Sequence, residues 1–509
     1  MMPAWLDRLL CNPWGVHPQD DRKRPAADNP LRHMPMPDRL YLPVQQHLGA
    51  PARPVVLVGQ RVLKGQLLAE AQGNVSAAIH APTSGTVAAI GEITAPHASG
   101  LPVLAITLAA DGRDEWIALD EVADPFALSA EEIARRVAAA GIVGLGGATF
   151  PSALKLNVSR RAKIRTLIAN GGECEPYLSC DDRLMRDEPE GIVEGLRLIA
   201  CATGATEICI GIEENKPEAI AAMKHATRGQ RDIEIHVLPA RYPMGSEKQL
   251  IQQVTGIEVP ADARPADVGV LVHNVGTALA VARAVRAGRP LIARVLTVAG
   301  GAVAAPGNIE VPLGTLVDEV IAFTGGLRRE PARLVMGGPM MGTQLPHGRV
   351  PVVKGTSGLL ALTAEETGVR PSGPCVRCSS CVGACPMGLL PLEMAARIRV
   401  GDLDGALALG LKDCLACGCC AWVCPSRIPL VQYFVHAKGD LAGRERDRLR
   451  QEATRKMAAA RLERLEREAR EKAEAAARRK AERARQKAAE AAAAAAAAQT
   501  AASEEGVSS

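Results

Sequence analysis

Aromatic side chains are scarce in this 509-residue chain, where Phe, Trp and Tyr together make up 2% of the residues. Proteins that bind single-stranded nucleic acid stack its bases on such rings, so we expect no nucleic-acid partner. Apolar residues nevertheless account for 47% of the chain, and its cores must therefore be built mainly from Ala, Val, Ile and Leu. The length predicts several domains rather than one.

Long apolar runs are also missing. The longest uncharged apolar run, residues 101–110, is about half as long as the ~20 residues that span a bilayer. Residues 1–24 have neither the apolar segment nor the small-residue cleavage site of a secretory signal. We therefore expect a soluble or peripherally attached cytoplasmic protein that has no membrane span of its own.

The body of the chain has no excess of charge of either sign. Residues 1–439 hold 43 basic and 43 acidic residues, and the net charge of +4 comes from residues 440–509, which hold 17 basic and 13 acidic ones. That tail is dominated by Ala, Arg, Lys and Glu, and its apolar heptad positions end after Leu465, which disfavours a coiled coil. We predict a solvated helix or a disordered tail, with attachment to anionic lipid or to a partner as the alternative.

The pattern before the tail predicts an α/β protein of several domains. Residues 1–50 are rich in Pro and indicate an arm lying over another domain, whereas residues 51–112 have short β-branched runs separated by Gly, typical of a small barrel or sheet. In residues 115–293, segments of helix length alternate with segments of strand length, which predicts a parallel sheet covered by helices. Residues 294–330 contain two strand-like pieces and one helix, which suits a small α+β module.

Cysteine, by contrast, is abundant and unevenly placed, because nine of the 14 cysteines fall between Cys375 and Cys424. Eight of them form two runs of the same spacing, Cys-x2-Cys-x2-Cys-x3-Cys-Pro, which begin at Cys375 and at Cys414. This duplicated run is typical of two-cluster ferredoxins, in which the fourth Cys of each run binds the other cluster. Such crowding in a long chain also indicates metal binding in a reducing compartment rather than a disulfide framework.

We therefore predict two [4Fe–4S] clusters in a ferredoxin-type domain, residues 365–435. One cluster is assigned to a first thiol set and the other to a second thiol set, namely Cys375, Cys378, Cys381 and Cys424, and then Cys385, Cys414, Cys417 and Cys420. A pair of zinc sites is the alternative, although zinc sites usually lack the third Cys and the trailing Cys-Pro. The remaining cysteines show no ligand spacing: Cys11, Cys174, Cys180, Cys201, Cys209 and Cys419.

A glycine-rich stretch, GIVGLGGATFPSALKL, occupies residues 141–156. The backbone N–H groups near Gly144, Gly146 and Gly147 could approach a phosphate, and Lys155 could neutralise it. The stretch matches neither the P-loop nor the G-x-G-x-x-G fingerprint, so a tight packing turn stays open as the alternative.

Polar residues follow two segments that read as strands. In IANGGECEPYLSCDDRLM, residues 168–185, they are Asn170, Glu173, Glu175, Asp181 and Asp182. In VLVHNVGTALAV, residues 270–281, they are His273, Asn274 and Thr277. Ligands bind at the carboxyl ends of parallel strands, so these residues are candidates for a binding site, with a solvated acidic loop as the alternative for the first group.

These three segments resemble the flavin-binding motifs of the NADH-oxidising flavoprotein subunit of respiratory complex I. The chain from about residue 15 to residue 429, including the doubled cysteine run, is similar to the RnfC component of the Rnf (Rsx) ion-translocating electron transport complex. The resemblance implies an FMN and NADH site, whose residues would be Gly144, Gly146, Gly147, Lys155, Asn170, Glu173 and Asn274, with Gly245 and Glu247 in a weaker motif. Gly172 and His273 depart from the complex I pattern, which has an acidic residue and an Asn at those positions.

The resemblance also identifies the small modules. Residues 54–90 resemble a lipoyl or biotinyl-type barrel, but no Lys lies between Gly65 and Gly85 to carry a swinging arm. Residues 294–326 resemble the β-grasp module that follows the flavin domain in complex I.

The function implied is that of a peripheral subunit on the cytoplasmic side of the inner cell membrane, in a complex that couples electron transfer to ion translocation. It would take electrons from NADH at FMN, relay them through two [4Fe–4S] clusters, and work with membrane and redox subunits and a ferredoxin or flavodoxin-type carrier. Because the chemistry belongs to the cofactors, no catalytic side chain is assigned. The alternatives are a relay or docking subunit without flavin or NADH chemistry, and the flavoprotein subunit of a soluble hydrogenase or formate dehydrogenase.

Overall fold

The computed structural model describes residues 14–18, 20–157, 162–368 and 370–505. They form two units, one ending at Phe434 and the other consisting of the long helix from Val435 onward. Cys11 and the first part of the predicted arm lie outside the described residues.

The first part of the chain forms a sandwich of two small antiparallel sheets. The first helix and the strands are α1 Arg24–Ala27, β1 Arg32–His33, β2 Arg39–Pro43, β3 Arg53–Pro54, β4 Arg61–Val62, β5 Leu67–Glu70, β6 Ile79–His80, β7 Gly85–Thr94 and β8 Pro102–Ala110. One sheet has the order β2-β8-β7-β4 and the other β3-β5-β6, which confirms the barrel-sandwich architecture. Strand β2 comes from the stretch predicted as an arm, because alternation buries Leu40 and Leu42 against β8.

Helices and strands then alternate in an α/β domain. Its elements are α2 Ala130–Ala139, α3 Ser152–Leu156, β9 Thr166–Gly171, α4 Cys180–Asp187, α5 Pro189–Thr203, β10 Glu207–Glu213, α6 Pro217–Ala226, β11 Ile233–Leu238, α7 Glu247–Thr255, β12 Val270–Asn274 and α8 Val275–Ala287. The sheet order is β11-β10-β9-β12 and every pairing is parallel, which confirms the predicted fold class. The carboxyl ends of all four strands therefore meet at one edge of the sheet.

Helices α5 and α8 pack closely because small residues meet at their crossing. A Cβ at Gly195 of α5 would lie 1.8 Å from the carbonyl oxygen of Ala278 in α8, so only glycine fits. Helix α8 begins at its N-cap residue Asn274 and ends at Gly288, whose φ of +61° is the left-handed conformation common at helix ends. The close approach at Gly195 fixes α8, and with it Asn274, relative to the sheet.

The β-grasp module is larger than its predicted range of 294–330. Its elements are β13 Ala293–Ala299, β14 Gly307–Pro312, α9 Val317–Phe323, β15 Arg333–Met336, β16 Thr343–Gln344 and β17 Gly358–Leu362. The sheet order is β1-β14-β13-β17-β15-β16. It extends to Leu362 because β13 pairs in parallel with β17.

The cysteine region consists of short helices: α10 Ala364–Thr367, α11 Ser380–Gly383, α12 Pro391–Arg399, α13 Leu403–Ala408 and α14 Cys419–Trp422. The last helix, α15, runs from Leu430 to Glu505, which confirms the helical alternative for the tail. None of the described helices is both long and apolar enough to cross a membrane.

A buried lysine joins the barrel-sandwich to the α/β domain. The Lys354 ammonium is fully buried and donates hydrogen bonds to the carbonyl oxygens of Ala78, at 2.6 Å, and Gly141, at 2.7 Å. Ala78 immediately precedes β6, and Gly141 begins the glycine-rich stretch. The start of that stretch is thus tied to the barrel.

Candidate functional site

The two asparagines predicted from the sequence lie opposite each other at the carboxyl ends of neighbouring strands. In the parallel pairing of β9 with β12, Asn170 is the partner of Asn274. The side-chain oxygen of Asn274 accepts hydrogen bonds from the N–H groups of Gly276, at 2.9 Å, and Thr277, at 3.3 Å, and its nitrogen donates to Asp181 at 2.6 Å. Asn274 therefore caps α8 and connects it to the loop that follows β9.

The glycine-rich loop lies against the same helix end. The Gly144 N–H donates to the carbonyl oxygen of Phe150 at 2.8 Å, and the Leu145 N–H donates to the Thr277 hydroxyl at 2.8 Å. A Cβ at Gly146 would come within 3.4 Å of the Cβ of Asn274, whereas one at Gly147, where φ is +105°, would meet no atom within 4 Å. The loop is thus a tight turn whose backbone stays open at Gly147, so both interpretations of the glycines apply.

Lys155 faces the end of β12. Its ammonium donates to Glu247 at 3.0 Å and to the carbonyl oxygen of Val272 at 3.1 Å. Burial, assisted by the charge of Lys155, lowers the pKa of the neighbouring His273 to about 3, so this imidazole is neutral at physiological pH. The edge therefore presents one ammonium, one carboxylate and one neutral imidazole.

Asn170 joins the loop after β9 to the loop before α7. Its nitrogen donates to the carbonyl oxygen of Gly245 at 2.8 Å, and its oxygen accepts from the Gly172 N–H at 3.0 Å. A Cβ at Gly245 would lie 2.1 Å from the carbonyl oxygen of Gly172, so the two loops touch through their backbones. The structure thus brings Asn170 and Gly245 together, and Glu247 follows at the start of α7.

Glu173 has a different role from the one expected of a ligand. Its buried carboxylate accepts hydrogen bonds from the Cys180 thiol, at 3.2 Å, and from the N–H groups of Asp181 and Asp182, at 3.1 and 3.4 Å. It caps α4 and leaves the glycine-rich loop to other residues. We see no reason in the local sequence to expect this.

Lys23 is a further residue of this region, and the sequence patterns gave no sign of it. Its buried ammonium donates to the carbonyl oxygens of Glu173, Glu175 and Leu178 at 2.6–2.7 Å. The lysine comes from the Pro-rich arm, far from these partners along the chain, so no local motif announces it. It holds the loop after β9 in a fixed shape.

The edge fits a polar ligand with a phosphate group. Two buried polar atoms there, Ser152 Oγ and His273 Nε2, have no hydrogen-bond partner among the described residues. The open backbone at Gly147 and the ammonium of Lys155 are the kinds of donor that bind phosphate. These features fit a flavin mononucleotide. We call this group of residues, with Asn170 and Asn274, the carboxyl edge.

The cysteine residues come together across the two runs. Burial, with the neighbouring Cys378 and Cys424 thiols adding to it, raises the pKa of Cys381. The pKa of Cys420 is raised by burial and then by the neighbouring thiols of the second set, Cys417, Cys414 and Cys385. The second thiol set also lines a single cavity. Each proposed set thus draws a cysteine from the other run.

The two runs share one backbone shape. Arg377 and Ala416, which stand two residues after the first Cys of each run, have φ near +53° and +55°. Their N–H groups donate to the thiols of Cys375 and Cys414 at 3.4 Å. Among the described residues no three His, Cys, Asp or Glu side chains form a site for a single metal ion. The repeated turns and thiols around a cavity fit iron–sulfur clusters, whose sulfurs accept backbone N–H groups.

The α/β domain touches the second thiol set directly. The Tyr242 hydroxyl, which is buried, donates to the carbonyl oxygen of Cys417 at 2.7 Å. Cys174 packs into the same apolar group as Tyr242, Cys417 and Cys419, and its thiol accepts from the Gly245 N–H at 3.4 Å. Contacts therefore run without a break from Asn170 through Gly245 and Cys174 to Cys417.

A second cavity, of about 390 Å³, lies between the barrel-sandwich and the β-grasp module. Its walls include Leu145 and Gly276, but none of the predicted ligand residues of the carboxyl edge. We assign no role to it.

Four family models match the chain in succession. They are the RnfC barrel sandwich hybrid domain over residues 12–113, the Nuo51 FMN-binding domain over 137–283, the SLBB domain over 295–344 and a 4Fe-4S dicluster domain over 374–428. The FMN-binding match includes the glycine-rich loop, Asn170 and Asn274. The dicluster match includes both cysteine runs.

Two solved structures are similar at lower levels. The NAD+-reducing [NiFe]-hydrogenase in its H2-reduced state aligns with 63% of this chain and 62% of its own, at 20% identity and a TM-score of 0.43. The air-oxidised state aligns with 55% and 53%, at 24% identity and a TM-score of 0.41.

Other relatives are much closer in sequence, and each is named as the RnfC-type component of an ion-translocating oxidoreductase complex. The protein of Rhodobacter capsulatus is 52% identical, covering 85% of this chain and 83% of its own, and that of Pseudomonas aeruginosa is 47% identical, covering 91% and 60%. The Haemophilus influenzae protein of the same name is 41% identical, covering 89% and 68%. With its FMN-binding and dicluster domains in the same order along one chain, this protein belongs to the RnfC family of the ion-translocating oxidoreductase complex.

Proposed function

We propose that this subunit is the NADH side of its complex and connects one FMN to two [4Fe–4S] clusters. The observation that carries the proposal is the unbroken contact between the carboxyl edge and the second thiol set, through Gly245, Cys174 and Tyr242. Electron transfer needs cofactors held at short, fixed separations, and a packed interface provides them. The proposal includes a place on the cytoplasmic side of the inner membrane.

The FMN would be held by Gly144, Gly146, Gly147, Lys155, Asn170 and Asn274. The backbone at Gly147 and the Lys155 ammonium bind the phosphate, while Asn170 and Asn274 fix the two loops around the ring system. Glu173 acts from behind, because its carboxylate caps α4 and so shapes the loop after β9. When bound, the flavin exchanges an electron pair with NADH and single electrons with the clusters.

The clusters would be held by the first and second thiol sets. Cys424 joins the first set from the second run, and Cys385 joins the second set from the first run, so each run has thiols in both sets. The crossing keeps the two sets together in one small fold. Partner subunits of the complex and a ferredoxin or flavodoxin-type carrier complete the electron path.

The test compares Lys155→Ala with Lys248→Ala in the full chain. Lys248 is the matched control, because it lies beside Glu247 but donates to the carbonyl oxygen of Pro260. We expect Lys155→Ala to lose most of its FMN and to raise the KM for NADH, with iron content unchanged, while Lys248→Ala behaves as wild type. Equal flavin content and equal KM in the Lys155 variant would contradict the phosphate-binding role.

A relay subunit without flavin is the second candidate, and specific residues favour it. Gly172 lacks the acidic side chain of the complex I pattern, and the His273 imidazole is buried and neutral where that pattern has Asn. This alternative predicts that denatured protein releases no FMN and that dithionite, but not NADH, reduces the clusters.

A further inference from the structure

The two thiol sets face different surroundings. In the second set, Cys417 and Cys420 are each 8% exposed, and Tyr242 of the α/β domain covers Cys417. In the first set, Cys375 and Cys378 are exposed and their backbone touches no element of the α/β domain in any hydrogen bond among the described residues. The first set therefore lies at the surface, on the outer side of the electron path proposed above.

The surface around the first set is positively charged. Residues 370–381 and 421–429 contain Arg370, Arg377 and Arg427 but no Asp or Glu. The two segments are adjacent, because the Gly373 N–H donates to the carbonyl oxygen of Ser426 at 2.9 Å. All three arginines are exposed, and none forms an ion pair with a described residue.

Exposed apolar side chains accompany these arginines. Val376 is 64% exposed and Trp422 is 58% exposed, and each is next or close to a thiol of the first set. The second set differs, since its loop carries both Lys412 and Asp413, and Lys412 pairs with Asp262 at 3.0 Å. An apolar patch with a rim of one charge is suited to brief, electrostatically guided docking.

We propose that Arg370, Val376, Arg377, Trp422 and Arg427, here called the arginine face, dock an acidic redox protein that exchanges single electrons with the cluster of the first thiol set. The proposal rests on the proposed function, because it needs a cluster at that set. In the forward direction the cluster loses one electron and the one-electron centre of the partner gains it; no bond forms or breaks. The cationic rim attracts the partner and orients it, which raises the association rate at low salt.

The charge pattern favours a protein over other occupants. A neutral partner would gain nothing from three guanidinium groups that lack ion-pair partners, and a basic partner would be repelled by them. Anionic lipid is the remaining anionic surface, and the test includes it as a separate arm.

The experiment uses the full chain with its clusters, reduced by dithionite under argon and mixed with an acceptor in a stopped-flow instrument. The acceptors are an acidic [2Fe–2S] ferredoxin and a basic c-type cytochrome. The variant Arg377→Glu/Arg427→Glu reverses two charges of the arginine face. Arg231→Glu is the control, because Arg231 is an exposed arginine at the amino end of β11, and the single variants Arg377→Glu and Arg427→Glu show whether the effects add.

For wild type we expect the bimolecular rate with ferredoxin to fall as salt is raised, because screening weakens attraction between exposed charges. The double variant should react with ferredoxin about tenfold more slowly at low salt and no more slowly with the cytochrome. Iron content and cluster reduction potentials should match wild type, and Arg231→Glu should leave both rates unchanged.

Three results would overturn the inference. Equal ferredoxin rates in wild type and double variant, with intact clusters, would overturn it alone. Unchanged ferredoxin rates together with binding to vesicles of anionic phospholipid that the double variant loses would assign the arginine face to lipid instead. A wild-type chain without reducible clusters would overturn the proposed function, and this inference with it.

Discussion

Most polar side chains at the carboxyl edge hold backbone in place, and few are left for a ligand. Asn274 caps α8, Glu173 caps α4, and Asn170 ties two loops together. Lys155 and the open backbone at Gly147 are what remain to bind a phosphate. A residue that resembles a family ligand can therefore act by shaping the site rather than by touching the cofactor.

The crossed thiol sets lead to a prediction about single cysteines. Cys378→Ala removes one of four ligands from the first set, so we expect about half of the iron to be lost while the second cluster stays. Cys419→Ala is the control, since Cys419 adjoins Cys420 but belongs to neither set. Iron analysis and visible absorbance measure both. Full iron in the Cys378 variant, or equal loss in the Cys419 variant, would refute the assignment.

At the scale of elements, the crossing of α5 and α8 positions the carboxyl edge. Gly195→Ala places a Cβ 1.8 Å from the carbonyl oxygen of Ala278, so α8 must move. Overpacking of this kind costs about 1–3 kcal/mol, and we expect both a lower melting temperature and less bound FMN, because Asn274 moves with α8.

Gly191→Ala in the same helix is the control for that variant. Its Cβ would lie 2.7 Å from a terminal methyl group of Leu279, which can rotate away. We expect this variant to keep its FMN, with a melting temperature at or near that of wild type. A Gly195 variant with normal flavin content would show that α8 does not set the site.

The Lys354 contact predicts a dependence of stability on pH. Burial lowers the pKa of Lys354 to about 7, whereas a lysine in an unfolded chain has a pKa of about 10.4. Between these values the unfolded chain binds more protons, so the free energy of unfolding rises with pH across that window and is lowest below it. Lys354→Met should flatten this rise.

The same variant also leaves the Ala78 and Gly141 carbonyl oxygens without their donor, at a cost of about 1–3 kcal/mol at high pH. Lys163→Met, at a lysine on the surface of the α/β domain, is the control and should keep the slope of wild type. Urea unfolding at a series of pH values measures both. An unchanged slope in the Lys354 variant would mean that this lysine stays charged when buried.

Local patterns predicted the elements well, and distant pairings escaped them. The alternation of segments predicted the parallel sheet, and the cysteine spacing predicted the region that the dicluster family matches. The β-grasp sheet was predicted too short, because β17 joins it from residues well beyond 330. The contacts of Lys23 with the loop after β9 could not be foreseen either, since nothing near Lys23 in the sequence encodes them.

For the whole molecule, charge was a poor guide to function and cysteine spacing a good one. The small net charge arises in the tail, whereas the residues of the carboxyl edge and of the thiol sets lie in a body with equal numbers of acidic and basic residues. What joins these two regions is a small apolar group that includes Tyr242, Cys417 and Cys419. The central claim is therefore that one chain connects NADH to its clusters through that junction.

The most direct test is an anaerobic titration of the wild-type chain with NADH, followed by the visible absorbance of flavin and clusters. We predict that NADH bleaches the clusters, and that the denatured protein releases about one FMN per chain. Clusters that dithionite bleaches but NADH does not, in a protein that releases no FMN, would contradict the account.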